Sequence, residues 1–342
     1  MQELLGRIAA LDPNASVGLR VIACFDELVV GNVNIQGLLA TAAALAGCPA
    51  GCSHGSSSYR VSVLGEPLGG GLPPMRRGLQ VDGGEVWLER HGPELPNDAI
   101  ILERLGLAVG VRLAGAAPER TRRDIAVLFD RETPIDDRRE AACRLGLTPD
   151  VRYRAVASTL FAEWTTHPSW PQDVMATAVG TIHALIAPAD AMCADAPMTP
   201  CGLGVTAHID RLADSFRTAL IALQLCESPH RAVDAERYGG LVHLLADSPS
   251  AATNPDADVL DSIRDLKWVR PTVGALLDSS SVRQSARLLD IHHSTMQSRV
   301  EILTDALGFD PLDGVGRARL GMAFLTWRMR HSRALELPPP NH

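Results

Sequence analysis

The chain has 342 residues, 46% of them hydrophobic, a mean hydropathy of +0.05 and a formal net charge of −8. This composition is typical of a soluble globular protein with two or three domains, and it excludes a disordered chain. No apolar run reaches the roughly 18 residues that a membrane span requires. The first residues, MQELLGRIAALD, lack the basic-then-apolar pattern of a signal peptide. We therefore expect a cytoplasmic protein that does not bind a membrane.

The seven cysteines are scattered from Cys24 to Cys226, and an odd, scattered set predicts reduced thiols rather than a disulfide framework. One tight group, Cys48, Cys52 and His54, could hold a metal or sense redox state. Its spacing is imperfect for a metal site and no second pair lies nearby. We favour a helix end that runs into a strand here, and we expect neither a metal nor a cofactor.

The first segment, residues 1–115, alternates between helical and strand-like patterns. Ile35 to Ala46 predicts a helix, and residues 97–106 predict another, with Asn97 as its N-cap. Short strand patterns lie between the two helices, at 59–65, 76–82 and 85–90, separated by glycine-rich breakers. This order of elements predicts a small α/β sensor-like domain.

The second segment, residues 120–248, predicts a single sheet with helices packed on it. A strand hairpin is predicted around Gly180. The other elements predicted are a strand at 124–130, a helix at 134–147, strands at 153–160 and 201–207, an amphipathic helix from Ile209 to Cys226, and a helix from Glu236 to Ala246.

Residues 247–258 are rich in Ser, Pro, Asp and Asn and form a linker, after which only helical patterns follow. The predicted fold class is therefore multidomain α+β: an α/β sensor-like domain, a sheet-and-helix domain, and an all-α domain at residues 258–333.

The stretch Ser281 to Val300, SVRQSARLLDIHHSTMQSRV, predicts two short helices with a tight turn. Ser281 with Gln284, and Ser294 with Gln297, each fit the capping box that marks a helix start. The helices would span 282–289 and 295–307. The turn would lie at residues 290–292, with Ile291 pointing inward.

This arrangement predicts a helix-turn-helix in which the start of the second helix faces DNA. Residues 257–333 hold eleven Lys and Arg against nine Asp and Glu, a net charge of +2. Such a thin positive patch predicts modest affinity, and hence a homodimer that reads two half-sites. A helical hairpin with no nucleic-acid role remains an alternative. The candidate DNA-binding residues are Arg283, His293, Ser294, Thr295, Gln297, Ser298 and Arg299.

The sequence over residues 281–329 resembles the C-terminal helix-turn-helix domain of the PucR/CdaR family of bacterial transcription regulators. The residues that carry the resemblance are Ile291, His292, Thr295, Met296, Arg299, Val300 and the run LGFDPLD at 307–313. Where that family has Arg, Asn, Arg and Tyr, this chain has His293, Ser294, Gln297 and Ser298. A different target sequence is therefore expected.

The resemblance also implies a degenerate GGDEF-like (CdaR-type) domain at 120–248 and a GAF-like sensor domain at 1–115. Cyclase activity needs acidic residues at the hairpin turn, and AVGTIHALIAP provides none. Motifs of other enzyme classes are also absent from the sequence, and His183, His208 and His243 are isolated, so we expect no catalytic residues and no enzyme. The family implies a dimeric regulator that responds to an effector the sequence does not identify. The alternative is a regulatory scaffold whose helical domain mediates dimerisation or protein contacts without DNA.

Overall fold

A computed structural model describes residues 13–69, 77–81, 83–115, 123–190, 197, 199–227, 231–248 and 254–336. The chain divides into two compact units. The first contains residues 1–237 together with 334–342, and the second contains residues 238–333. Within the described ranges, no helix is long and apolar enough to cross a membrane.

The first half of the first unit combines three helices with a four-stranded antiparallel sheet of order β2-β1-β4-β3. The helix predicted at 35–46 is confirmed: the Asn34 side chain accepts from the Gly37 amide, and Gly47 ends the helix in the left-handed conformation. Helix α1 is not among the elements predicted from the sequence. The elements are α1 (Pro13–Val30), α2 (Ile35–Ala46), β1 (Ala50–His54), β2 (Ser57–Val61), β3 (Arg77–Val81), β4 (Gly84–Leu88) and α3 (Asp98–Leu113).

The second half of this unit has a five-stranded sheet of order β6-β7-β5-β8-β9, in which only the β8–β9 pair is parallel. The hairpin predicted around Gly180 is confirmed as β6–β7. The elements are α4 (Asp124–Phe129), α5 (Ile135–Arg144), β5 (Tyr153–Ser158), β6 (Gln172–Thr177), β7 (Gly180–Pro188), β8 (Cys201–Leu203), a 3₁₀ turn (Ile209–Arg211), α6 (Leu212–Gln224), β9 (Ala232–Asp234) and a second 3₁₀ turn (Ala235–Tyr238).

Three sequence predictions in this region are wrong or only partly right. The strand predicted at 124–130 is instead a helix, α4, over residues 124–129. Ile125, Leu128 and Phe129 lie on one helical face, and the Phe129 ring stacks 4.2 Å from that of Phe216. The strand predicted at 201–207 ends at residue 203. The helix predicted at 236–246 is interrupted at Gly239, whose φ of +51° lies in the left-handed region.

Helix α2 is the core element of the first unit, because it packs against β1 and β2 of one sheet and against β6 and β7 of the other. Most of its residues are buried. Gly37 faces β6 so closely that a Cβ there would lie 2.6 Å from Asp173 Oδ1. Next to this contact, Asn34 Nδ2 donates to Asp173 Oδ2 over 2.8 Å. The alanine and glycine content of α2 therefore permits two sheets to share one helix.

A chain of polar side chains also ties α1 to the β6–β7 hairpin. Glu27 contacts Nδ1 of His167, and His167 Nε2 lies 3.0 Å from the Gln172 amide nitrogen. The Gln172 amide oxygen lies 2.8 Å from Nε2 of the buried His183. Since the Glu27 carboxylate accepts, each following group has one consistent role: His167 donates from Nδ1, Gln172 donates to His167, and His183 donates to Gln172. His183 forms the buried end of this chain.

The second unit contains only helices among its described residues: α7 (Gly240–Asp247), α8 (Pro255–Ser262), α9 (Val269–Leu277), α10 (Val282–Leu288), α11 (His293–Leu307) and α12 (Gly314–Arg330). Helix α8 packs against α12, and α9 contacts α10, α11 and α12. Leu260, Val273, Met296, Leu303 and Leu320 are fully buried in the common core. The all-α character predicted for this part of the chain is confirmed.

The buried His183 predicts a specific dependence of stability on pH. Burial lowers its pKa to about 3, whereas the ordinary value is 6.5. The fold therefore keeps the neutral imidazole, while the unfolded chain takes up a proton, and stability is lost as pH falls from 6.5. Burial also raises the pKa of Asp173 to about 6, and this shift makes stability increase as pH falls. Asp173 is present in both the wild type and His183→Gln, so its contribution cancels when the two proteins are compared.

We expect the free-energy difference between wild type and His183→Gln to narrow by roughly 1 kcal/mol between about pH 7 and about pH 5.5. Chemical denaturation at each pH measures it. His208→Gln, at an exposed position, is the matched control for loss of an imidazole. A difference that stays constant with pH would show that His183 does not remain neutral in the fold.

Candidate nucleic-acid interface

The turn between α10 and α11 is fixed by its backbone hydrogen bonds. Asp290 adopts a φ of +52°, in the left-handed region that Asp tolerates better than most side chains. The Ile291 amide donates to the Ala286 carbonyl over 3.0 Å, and the Asp290 amide donates to the Arg287 carbonyl over 3.2 Å. This pair of bonds is a Schellman motif, with Ile291 packed against the core as its apolar partner. The predicted turn, with Ile291 pointing inward, is confirmed.

Helix α10 begins with the predicted serine cap. The Ser281 hydroxyl accepts from the Gln284 amide over 3.2 Å. The Gln284 side chain returns to Ser280 instead of Ser281, accepting from the Ser280 amide and hydroxyl. Below this cap lies the fully buried Ser285, whose hydroxyl donates to the Ser281 carbonyl over 3.0 Å. The first capping box is thus present in a form shifted by one residue.

The second capping box, predicted from Ser294 and Gln297, is wrong. Helix α11 starts at His293, two residues earlier than predicted, and its N-cap is His292. Nδ1 of His292 accepts from the Ser294 amide over 3.3 Å and lies 2.7 Å from the Ser294 hydroxyl. An imidazole nitrogen can replace the usual hydroxyl here because the unprotonated Nδ1 is an equally placed acceptor.

The two faces of α11 separate as the sequence predicts. Its apolar residues point into the core, and the side chains at its first turns face outward. Ser294, Thr295, Gln297 and Ser298 are exposed, and His293 is half-buried. The buried residues are Met296, Val300, Leu303 and Leu307. A continuous polar edge of Ser, Thr and Gln therefore lies at the exposed start of the helix.

The two candidate arginines occupy different environments. Arg283 is exposed on α10, as is Arg287 one turn later, which the sequence analysis did not include among the candidates. Its i+4 spacing from Arg283 is the signal that could have identified it. Arg299 is half-buried: its guanidinium donates to the Thr272 hydroxyl over 3.2 Å and lies 5.4 Å from the centre of the Trp268 ring. Arg299 therefore joins α11 to α9.

Several other cations of the second unit are used inside the fold. Arg317 donates to the carbonyls of residues 276, 277 and 279, which closes the C-terminal end of α9. Arg319 forms a two-point pair with Asp256 and lies over the Phe309 ring. Arg330 pairs with Asp258. The positive charge available at the α10–α11 surface is therefore smaller than the count of arginines suggests.

The Cys48, Cys52 and His54 group lies at the start of the first sheet, where a helix end runs into β1 as favoured from the sequence. Both cysteines are buried, and burial raises the pKa of Cys52 to about 12. A buried thiol with a raised pKa carries little of the thiolate that redox chemistry requires. No group of three or more metal-ligating side chains occurs among the residues that the structure describes.

The serine caps provide a stability test with an internal control. Ser281→Ala removes the acceptor for the Gln284 amide, and we expect it to lower the free energy of unfolding of the second unit by about 1 kcal/mol. Ser294→Ala leaves the His292 cap and its backbone bond in place, so a loss of only a few tenths of a kcal/mol is expected. Urea denaturation followed by circular dichroism compares the two variants. A larger loss in Ser294→Ala would assign the second cap to the serine after all.

The comparison with known protein families agrees with this geometry. Residues 269–326, which run from α9 into α12, match the PucR C-terminal helix-turn-helix domain. A solved structure, a regulator of polyketide synthase expression from Bifidobacterium adolescentis, is 18% identical over 61% of this chain and 97% of that chain. Its TM-score of 0.29 is too low to indicate a shared fold. No curated protein matches the chain. The resemblance inferred from the sequence is confirmed over residues 269–326, where the chain matches the PucR C-terminal helix-turn-helix domain.

Proposed function

We propose that this protein is a ligand-responsive transcription regulator that binds operator DNA as a homodimer through α10 and α11. The match to the PucR helix-turn-helix domain supports DNA binding. The observation that carries the proposal is the exposed polar edge at the start of α11, formed by Ser294, Thr295, Gln297 and Ser298 and held in place by a Schellman turn. A helix presented in this way has the form of a recognition helix.

The side chains at this edge determine what the helix can read in the major groove. The Gln297 amide can pair with both N6 and N7 of an adenine, and the hydroxyls of Ser298 and Thr295 can donate or accept. His293 lies half-buried beside them. Arg299 stays among the proposed contacts, but to reach a phosphate it has to release Thr272, so its first role is to position α11. Base recognition therefore depends on uncharged groups.

Phosphate contacts come chiefly from Arg283 and Arg287 on α10. Each phosphate contact contributes about −0.9 to the slope of log binding constant against log salt concentration. Two arginines per protomer give a weak monomeric interaction. A homodimer that places two helices on two half-sites doubles the number of contacts, which is why we propose a dimer.

The first unit then serves as the sensor. Its two sheets correspond, in this proposal, to the GAF-like and degenerate GGDEF-like domains that the sequence resembles. The β6–β7 hairpin carries one acidic residue, Asp173, which is buried against Asn34. A carboxylate in that position cannot hold a divalent metal over a nucleotide at the turn, so we propose a regulatory rather than enzymatic role.

The DNA-binding proposal is tested by titrating the gene's own upstream fragment at two salt concentrations. We expect a gel shift at micromolar protein or below, weakened by salt.

Arg283→Gln should weaken binding to all sequences and make the salt slope shallower by about 1 per protomer. Gln297→Ala should instead cost about 1–3 kcal/mol on the preferred site and little on unrelated DNA.

Arg264→Gln is the control, because Arg264 is an exposed cation of the same unit that lies outside α10 and α11. If the full-length protein gives no shift, or if Arg283→Gln and Arg264→Gln behave alike, the regulator proposal fails. The scaffold alternative would then account for the helical unit.

A further inference from the structure

A cavity of about 310 Å³ lies inside the first unit, bounded by α1, α2, the start of α3, the segment after β5 and the β6–β7 turn. Its walls are mainly apolar and include Val21, Leu45, Ile101 and Phe161. This volume is at the lower end of the range for small-molecule sites, which are typically concave, apolar and supplied with few polar groups. The cavity therefore has the dimensions and surface of a ligand site rather than a packing defect.

Three polar side chains face this apolar surface: Asn97, Thr159 and Thr181. Asn97 occupies the N-cap position of α3, as the sequence predicts, yet its side chain makes no cap hydrogen bond. The predicted N-cap position is thus confirmed without the capping bond, and Asn97 is one of the residues that line the cavity. An amide and two hydroxyls can each donate and accept, so they suit an uncharged polar group on a ligand.

The charge of the lining limits the chemistry further. Among the described residues around the cavity, Glu336 is the single ionisable side chain, and none is Arg, Lys or His. An anionic ligand would have to shed water without gaining a cationic partner, which is costly in an apolar site. Carboxylates, phosphates and sulfonates are thus disfavoured, while neutral molecules are accepted.

One wall of the cavity comes from the far end of the chain. Leu335 lies five residues after the end of α12, and Ala334 beside it is buried in the core of the first unit. Leu335 packs on the hairpin turn, where a Cβ added to Gly180 would lie 3.0 Å from its Cδ1. Gly180 has a φ of +126°, a conformation that L side chains rarely adopt. The segment that follows the helix-turn-helix unit therefore forms part of this ligand site.

We propose that this cavity binds a small, neutral, mainly apolar molecule carrying a hydroxyl, amide or N–H group, and that the ligand contacts Leu335 and Glu336 directly. Because residues 334–336 continue from the second unit, a ligand that favours one placement of this segment changes the DNA-binding equilibrium. The regulatory step rests on the proposed DNA-binding function, whereas the ligand site does not.

The ligand site is tested with two fluorescent probes that differ by one charged group. N-phenyl-1-naphthylamine is neutral and carries one N–H, and 8-anilinonaphthalene-1-sulfonate adds a sulfonate to the same skeleton. We expect the full-length protein to bind the neutral probe at one site with a Kd on the order of 1–10 µM, and the sulfonate at least about tenfold more weakly. No saturable binding of the neutral probe, or equal affinity for both probes, overturns the proposal.

Cavity-filling substitutions locate the site. Ala44→Phe, on the cavity face of α2, and Thr181→Phe, on the hairpin, should each weaken binding of the neutral probe by about tenfold or more. Ala23→Phe, at an exposed position on α1, is the matched control and should leave binding unchanged. Thermal melting identifies any variant that is unfolded, which is why two filling variants are used. If a folded filling variant binds like the wild type, the probe is elsewhere and the proposal fails.

Coupling is measured by the Kd for upstream DNA with and without saturating neutral probe. We expect a change of at least about fivefold in the wild type, and the same factor in probe affinity when DNA is added. Leu335→Ala should reduce this factor towards one while the probe still binds. Probe binding with unchanged DNA affinity refutes the coupling. Failure to bind DNA under every condition refutes the proposed function and leaves the ligand site standing on the probe data.

Discussion

The first unit depends on the burial of α2 between two sheets. An ordinary amphipathic helix has one apolar stripe and covers one sheet, but α2 is buried on nearly every side and therefore serves both. The close approach at Gly37, and the pairing of Asn34 with Asp173, explain why this helix is built of small residues and why its N-terminal end cannot shift along β6. At the C-terminal end of α2 the Ala46 carbonyl accepts from Arg90, and the cavity lies beside this end of the helix, against Ala44 and Leu45. Packing is thus tight at one end of the helix and incomplete at the other.

In the second unit, stability and presentation of the polar edge come from different interactions. Burial of side chains such as Met296 and Leu303 contributes on the order of 2 kcal/mol each, so the core determines that α10 and α11 pack together. The cap at Ser281 and the left-handed Asp290 contribute about 1 kcal/mol or less each, too little to determine the fold. They do determine where each helix starts and ends. In the proposed DNA complex, only the first turns of a recognition helix would reach base edges, so these small terms would decide which side chains face the groove.

Features that depend on the periodicity of the sequence can be predicted from it. Features that depend on contacts between residues far apart in the chain cannot. The buried face of α11 follows from its spacing of Met296, Val300, Leu303 and Leu307, and α2 follows from its composition. Residues 124–129 have strand-like composition, but stacking of Phe129 on Phe216, a partner 87 positions away, makes a helix the better solution. The sequence alone does not identify the cap of α11, because His292 and Ser294, two positions apart, can each supply an acceptor; in the structure the acceptor is the histidine. The cavity wall at Leu335 could not be inferred at all, since no local pattern links a tail to a hairpin 155 residues earlier.

The connection between the two units restricts how a ligand could act. The second unit, residues 238–333, is joined to the first at both of its ends, because the chain enters it after Arg237 and returns at Ala334. Because the second unit is attached at two points, it has fewer arrangements available than a unit held by a single linker. A small change at one attachment therefore alters a larger fraction of those arrangements. The attachment at Ala334 is anchored in a hydrophobic core and lies next to a cavity. A ligand of ten to twenty atoms has to differ in affinity between two states by only about 1–3 kcal/mol to change DNA occupancy several-fold. The free energy gained by burying one leucine side chain is of that magnitude.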